Sequence, residues 1–146
     1  MEHSPERLRT LPSWLINQAA IPANRLVADG LAHAGTRRNH YSVLATLWEI
    51  GPASQAELSR CTTIDRSDMV ATLNELAEPG YIERSADLTD ARRNVITITP
   101  AGRRQLRKLD ALMTRIQHDV LGPLSASERK QLVGLLTRVV DYHAKE

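Results

Sequence analysis

Two acidic residues and two arginines, Asp87, Asp90, Arg92 and Arg93, lie close together in one short stretch of the sequence. A carboxylate can pair with a nearby arginine and fix a loop, and a guanidinium group binds phosphate through several N–H groups at once. The segment Ile82–Lys108 contains seven basic residues and three acidic ones, whereas the whole chain of 146 residues carries a net charge of +2. This clustering favours a polyanionic partner, with an ordinary solvated basic surface as the alternative.

The charged stretch lies between two runs that resemble β-strands. Residues 94–99 (NVITIT) alternate apolar and polar side chains, as a half-buried strand does, and residues 80–85 (GYIERS) precede the charged stretch. The two runs predict a small β-hairpin with the charged residues at its tip.

Two helices are predicted immediately before this hairpin. Ser54 is placed to cap a short helix whose Leu58 and Cys61 we expect to face the core. After a turn, Asp65 is placed to cap a second helix, which ends at residues 79–80. A short helix, a tight turn and a second helix with polar outward positions form a helix–turn–helix, and the hairpin that follows is a wing.

Such a unit places its second helix in the major groove of DNA and its wing over the phosphate backbone. Helix starts contact phosphates, the outward face of the second helix reads base edges, and an acid at the wing tip holds an arginine ready for contact. The residues predicted to bind DNA are Ser54, Gln55, Thr63, Arg66, Ser67, Asp68, Val70, Ala71, Asn74, Arg84, Asp90, Arg92 and Arg93. The alternative is a winged helix that serves protein–protein contact, without salt-dependent DNA binding.

Long helices with apolar stripes are predicted on both sides of this module. Residues 13–34 contain Pro22, so we expect a kink there or two helices end to end. Thr36 is placed to cap the next helix. After the hairpin, two helices are predicted within residues 100–144. The predicted fold is mainly α with a small β-hairpin wing, a winged helix–turn–helix flanked by long helices.

Sequence signals also predict where the last two helices begin. Thr99 and Pro100 are suited to the cap and the first position of one helix, and Ser125 with Glu128 forms a capping box at the start of the other. The apolar stripes of these helices must pack on each other or on a partner chain.

The middle of the chain resembles the MarR-type winged helix–turn–helix transcriptional regulators. The family's wing pattern is Asp-x-Arg, five residues, then Leu-Thr-x-x-Gly, and it stands here as DAR at residues 90–92 and ITPAG at residues 98–102. The stretch DRSDMVATLNELAEPGYIER at residues 65–84 resembles the recognition helix and first wing strand, although Ala71 and Pro79 occupy positions that are often basic in the family.

The resemblance implies a homodimer that binds a palindromic site in duplex DNA. Residues 1–35 would form an N-terminal dimerisation helix region, residues 36–99 the winged helix–turn–helix module, and residues 100–146 the C-terminal dimerisation helices. It also implies regulation, usually repression, that is relieved by a small phenolic or aromatic carboxylate bound between the dimer layer and the DNA-binding module.

Aromatic, histidine and arginine residues on the first two long helices are compatible with such an effector. An aromatic wall with a cation suits an aromatic acid. The candidate ligand-binding residues are Trp14, Arg25, His33, His40, Tyr41 and Trp48. The alternative is that these aromatic residues belong to the core and the subunit interface.

A thiol-based response through Cys61 is a further alternative, because Arg60 is adjacent and reactive thiols need an exposed, electropositive setting. The five histidines show no tight metal-ligand spacing, so no metal and no cofactor are expected. The sequence contains no nucleophile elbow and no phosphate-cradling glycine loop, so we do not expect an enzyme. A single cysteine, no secretory leader and no long apolar run predict a cytoplasmic chain that does not enter a membrane.

Overall fold

A computed structural model describes residues 3–90 and 92–145. These residues form a mainly helical fold with a small antiparallel sheet, as predicted. The elements, in chain order, are α1 (Glu6–Arg9), α2 (Pro12–His33), α3 (Arg38–Ile50), β1 (Ala53–Ser54), α4 (Gln55–Thr62), α5 (Arg66–Ala77), β2 (Ile82–Ala86), β3 (Asn94–Ile98), α6 (Pro100–Val120) and α7 (Ala126–Ala144).

The sheet contains the predicted hairpin and one strand that was not predicted. β2 and β3 pair antiparallel, with Ile82 opposite Ile98 and Ala86 opposite Asn94. The two-residue strand β1 pairs with the other edge of β3, giving the order β1-β3-β2. This pairing attaches the wing to the start of α4, because β1 ends where α4 begins.

Helix starts follow the predicted caps at four positions and differ at one. Side chains that accept a hydrogen bond from the first helical turn cap α4, α5, α6 and α7, and they are Ser54, Asp65, Thr99 and Ser125. The predicted cap Thr36 is wrong, because α3 begins at Arg38 after an extended Arg37 that makes no side-chain cap.

Of the two alternatives expected at Pro22, a kink or two helices end to end, the second is wrong. α2 runs without interruption from Pro12 to His33, with Pro22 inside it. Proline removes one backbone donor from a helix. The second half of α2 nevertheless buries Val27 and Leu31 in the core, and this packing holds the helix together past the proline.

One apolar core joins the parts of the chain that were predicted as separate regions. Its buried side chains include Leu31 of α2, Leu44 of α3, Leu73 of α5, Ile96 of β3 and Leu109 of α6. The wing and the helix–turn–helix are therefore held in one orientation by a shared core.

Gly102 is needed where the wing meets α6. The Thr99 N–H donates to Tyr81 O at 3.1 Å, and the Thr99 hydroxyl donates to Gly80 O at 2.5 Å. These bonds bring α6 so close to the chain before β2 that a Cβ on Gly102 would overlap the Tyr81 carbonyl. The close approach explains the glycine of the wing motif.

Candidate nucleic-acid interface

The turn between α4 and α5 is closed by local hydrogen bonds. The Thr63 N–H donates to Ser59 O at 3.1 Å, and Thr63 adopts a left-handed conformation with φ of 58°. Asp65 then accepts from the Asp68 N–H at 2.8 Å, which holds the pKa of Asp65 below its ordinary value. The buried Ile64 packs into the core between these two bonds.

α5 separates a buried face from an exposed face. Its buried residues are Met69, Thr72, Leu73 and Leu76. All the residues of α5 predicted to read bases are exposed, and they are Arg66, Ser67, Asp68, Val70, Ala71 and Asn74. The structure therefore brings the predicted base-reading residues together on one surface.

Two of these side chains are already hydrogen-bonded within the protein. The Ser67 hydroxyl donates to Asp65 Oδ1 at 3.0 Å. The Arg84 guanidinium, on β2, donates to Asn74 Oδ1 at 2.7 Å. A residue of the wing is thus tied directly to the exposed face of α5.

The wing tip is shaped by its two acids. Asp87 accepts from the N–H and the hydroxyl of Thr89, at 2.8 and 2.7 Å, and these bonds lower the pKa of Asp87. Asp90 accepts from the Arg92 N–H at 3.0 Å and lies 3.4 Å from Arg92 Nε. The side chain of Arg92 is nevertheless 91% exposed, so its guanidinium stands in solvent at the tip. Ala91 lies outside the described residues.

The second arginine of the wing points toward the helix–turn–helix. Arg93 Nη2 lies 3.6 Å from Glu57 Oε1 on α4. Glu57 also receives the Ser54 hydroxyl at 3.2 Å. Sequence reasoning missed Glu57, because nothing local to it indicates a partner 36 positions away.

A cleft of about 700 Å³ lies between the helix–turn–helix and the wing. Basic side chains line both of its sides, namely Arg60, Arg66, Arg92 and Arg93. The predicted phosphate-contact residues Ser54 and Gln55 lie in the same lining, at the start of α4. Thr63 is exposed in the turn that follows α4. The cleft thus brings five of the thirteen predicted DNA-binding residues into one positively charged groove, and they are Ser54, Gln55, Arg66, Arg92 and Arg93.

A hydrogen-bond network that was not predicted holds α5 against α3. Arg37 donates to both carboxylate oxygens of Glu75, at 3.2 and 2.6 Å, and to the Thr72 hydroxyl at 3.3 Å. His40 Nε2 donates to the same carboxylate at 2.8 Å. The hydrogen bond from Arg37 is the largest cause that lowers the pKa of Glu75.

A second cleft contains two of the candidate ligand-binding residues. It has a volume of about 200 Å³ between α3 and α6, and Tyr41, Trp48, Arg107 and Asp110 are among its lining residues. Arg103 and Arg107 stand over the Trp48 ring, with guanidinium carbons 4.9 and 5.9 Å from the ring centre.

Tyr41 is fixed within this cleft. Its hydroxyl donates to Asp110 Oδ1 at 2.7 Å. Burial, assisted by the Asp110 carboxylate, raises the pKa of Tyr41 to about 12. The tyrosine therefore remains a neutral hydrogen-bond donor at physiological pH.

The other candidate ligand-binding residues do not line this cleft. Trp14 is half-buried near the start of α2, and Arg25 is exposed on the same helix. His33 is exposed and donates from Nδ1 to Asp29 O at 2.8 Å, whereas His40 is held by Glu75. The predicted set is thus divided among separate parts of one subunit.

Cys61 is exposed at the end of α4, which corrects the expectation that it faces the core. The helical spacing from Leu58 to Cys61 is compatible with one shared face, but only Leu58 is buried. On the last turn of α4, Ser59 and Thr62 are half-buried while Cys61 is exposed, so the side of this turn nearer the core carries Ser59 and Thr62.

Among residues 3–90 and 92–145, no group of three or more His, Cys, Asp or Glu side chains is placed to hold a metal ion. No helix in the same part of the chain is both long and apolar enough to cross a membrane.

Comparison with known proteins identifies relatives of the chain. The family model described as MarR family matches residues 37–93. A crystal structure described as a "probable transcriptional regulator" from Pseudomonas aeruginosa is 34% identical, covers 90% of this chain and 98% of its own, and superposes with a TM-score of 0.78. The PcaV transcriptional regulator from Streptomyces coelicolor, solved in complex with its natural ligand, is 25% identical over 94% of this chain and 97% of its own, with a TM-score of 0.76.

A curated protein described as a transcriptional regulator is also similar to this chain, over a shorter length. It is a "putative transcriptional regulatory protein for hcr operon" from Thauera aromatica, 34% identical over 99 residues. The match covers 68% of this chain and 60% of that protein.

Proposed function

The chain belongs to the MarR family of winged-helix transcriptional regulators, and on that premise we propose that two copies of it bind one palindromic site in duplex DNA. Membership of a family of regulators also confirms the expectation that the chain is not an enzyme. In the proposed complex, α5 enters the major groove and the wing lies over the adjacent backbone.

The observation that carries this proposal is the positively charged groove between α4, α5 and the wing. Arg60 and Arg66 lie on its helical side, and Arg92 and Arg93 lie on its wing side. Phosphates that pass between these arginines would meet guanidinium groups from two directions, while the polar face of α5 lies against the bases. A surface for protein contact has no need of cations on both sides of one groove.

Apolar side chains outside the groove support a homodimer. Among the described residues, α7 buries none. Large apolar side chains are exposed on α1, α2, the linker between them and α7, and they include Leu8, Leu11, Leu15, Ile16, Ile21, Val133, Leu135, Leu136, Val139 and Val140. A second copy of the same helices would cover these stripes and set two recognition helices at the spacing of a palindrome.

The cleft at Tyr41 and Trp48 supports a small aromatic acid as effector. The Trp48 ring, over which Arg103 and Arg107 stand, keeps part of its apolar surface exposed, and Arg107 offers a cation for a carboxylate. The cleft borders α3, and Arg37, the residue before this helix, donates to Glu75 of α5. An acid that displaces α3 would shift the recognition helix, and we propose that it releases the protein from DNA as the inducer of a repressor.

The test is fluorescence anisotropy with duplex DNA from upstream of the protein's own gene and with a scrambled duplex, over a series of salt concentrations. Binding that is specific and weakens steeply with salt is expected. Arg92→Ala should lower affinity for both duplexes and reduce the salt slope by about 0.9, the value of one phosphate contact.

Lys145→Ala is the matched control, because it also removes one exposed positive charge but lies at the end of α7. It should leave the salt slope unchanged. Equal, salt-independent binding to both duplexes would contradict the DNA-binding proposal and favour a winged helix that contacts proteins.

A further inference from the structure

We infer that Asn74 and Arg84 read DNA as one unit whose free groups are mainly hydrogen-bond donors, and that this unit selects guanine. The inference rests on the proposed DNA-binding function. It concerns one base pair of the operator, the one that faces the last turns of α5.

The first step is the orientation of the Asn74 amide. Arg84 Nη2 lies 2.7 Å from Asn74 Oδ1. A guanidinium group has donors and no acceptor, so only the oxygen of the amide can face it. The Asn74 Nδ2 donors are therefore directed away from Arg84.

The second step is the position of the pair. Asn74 lies on the same side of α5 as four other residues, at spacings that return to one face of a helix. It follows Arg66, Ser67, Val70 and Ala71 by eight, seven, four and three residues, in that order. All five side chains are exposed, as is Arg84 on β2. The pair thus extends the surface that would face the major groove, at the edge nearest the wing.

The third step is the hydrogen-bonding capacity that remains. Asparagine reads adenine with both of its amide atoms, because Oδ1 accepts from adenine N6 while Nδ2 donates to N7. Here one of the two lone pairs of Oδ1 already accepts a charge-assisted bond from Arg84, so an adenine N6 donor would have to share this oxygen with the guanidinium group. The groups that remain are Nδ2 of Asn74 and the other N–H groups of Arg84, and all of them are donors. The described residues supply no other partner for these groups.

Guanine is the base whose major-groove edge matches a set of donors. It presents two acceptors, N7 and O6, on the purine side, whereas adenine presents one acceptor and one donor. Discrimination by a well-placed pair of this kind is about fivefold to a hundredfold between the two bases.

The experiment is selection from randomised duplexes with the full-length protein and three variants, followed by affinity measurements on single-base changes of the selected site. The natural protein should select guanine at one position in each half-site. Asn74→Asp keeps an oxygen for Arg84 but removes the amide donors, so the guanine preference should fall at that position. Arg84→Ala frees Oδ1, so the same position should change toward adenine.

Arg92→Ala serves as the control, because the wing tip should change affinity and leave the base preference at that position intact. Circular dichroism and thermal unfolding establish that each variant is folded. A specific site whose Asn74-dependent position is adenine in the natural protein would overturn the inference and leave the DNA-binding proposal intact. The same holds if Asn74→Asp and Arg84→Ala alter different positions. Selection of no sequence at all would overturn the proposed function, and this inference with it.

Discussion

The surface around α5 and the wing differs sharply from the surface of α7. Around α5, exposed polar groups are bonded to each other across elements, as in Arg84 with Asn74, Arg93 with Glu57 and Arg37 with Glu75. On α7, apolar side chains such as Leu136 are exposed to solvent, and none of the described residues of this helix is buried. The side chains around α5 and the wing are positioned by contacts within one subunit. The apolar side chains of α7 are not covered by other parts of the described subunit.

The difference indicates what each surface needs from its surroundings. A polar surface with preset hydrogen bonds loses little side-chain entropy when it binds a ligand of fixed shape, such as a DNA groove. Exposed apolar stripes on long helices gain stability only when another apolar surface covers them. The protein would therefore meet DNA with the first surface and a second copy of itself with the other.

The largest expected effect comes from a charge placed in the apolar stripe of α7. Leu136→Lys should weaken self-association on the order of 100-fold, because a buried unpaired ammonium group costs several kcal/mol. Affinity for the palindromic site should fall with it, since a single subunit reaches only one half-site. Sedimentation velocity and anisotropy measure the two effects.

Ser127→Lys is the control for that variant. It adds the same charge to α7 nine residues earlier, at an exposed position that the helical rotation of about 100° per residue places opposite Leu136. If the Leu136 and Ser127 variants associate equally well, the stripe is not the subunit interface.

A smaller effect is expected on the free energy of unfolding when one glycine of each region, Gly102 beside the wing or Gly134 on α7, is replaced by alanine. Gly102→Ala should lower the free energy of unfolding by about 1–3 kcal/mol, because its Cβ meets the Tyr81 carbonyl. Gly134→Ala on α7 should instead raise it by up to about 1 kcal/mol, since a Cβ there meets nothing in the subunit and alanine favours the helix. Urea denaturation at one protein concentration measures both. A destabilised Gly134 variant would indicate that a partner packs closely on that face.

The smallest effect concerns the network between α3 and α5. Glu75→Gln removes the charge that Arg37 and His40 contact, and should lower stability by about 0.5–1 kcal/mol, because the side chain is 44% exposed. The pKa of Glu75 is lowered in the folded state from 4.5. Its contribution is therefore fully present above pH 4.5 and is lost as the pH falls through the folded pKa.

Stability should be measured for the natural protein and the Gln variant from neutral pH downward. The difference between them should be constant at neutral pH and shrink below pH 4.5. A difference that does not change with pH would show that the carboxylate charge contributes nothing to the packing of α5.

Much of the fold was predictable from short-range signals. The helix starts at Asp65, Thr99 and Ser125 depend on side chains that bond within one turn, and such bonds are written in neighbouring residues. The hairpin was predictable from alternation, because the period of two is local. The exposure of the α5 residues from Arg66 to Asn74 followed from the buried positions between them.

The contacts that position the candidate site were less predictable. The sequence analysis assigned no role to Glu57 or Glu75, and each contacts an arginine from a distant part of the chain. Cys61 was expected in the core from its spacing to Leu58, but it is exposed, and Thr62 of the same turn is half-buried instead. Such outcomes depend on where separate elements meet, and spacing within one element carries no information about that.

By itself, the sequence determined the order of the hairpin and of the helices from α2 to α7, most of their caps, the family and the polar face of α5, because each depends on residues within a few positions of one another. Only the tertiary structure decided three contacts between elements. β1 pairs with β3 of the wing at the start of α4, Arg37 donates to the Glu75 carboxylate, and Arg84 donates to Asn74 Oδ1. These are contacts between elements brought together by one shared core. Their geometry is set by packing, since the core fixes which faces meet and the polar side chains then bond with whatever lies within reach.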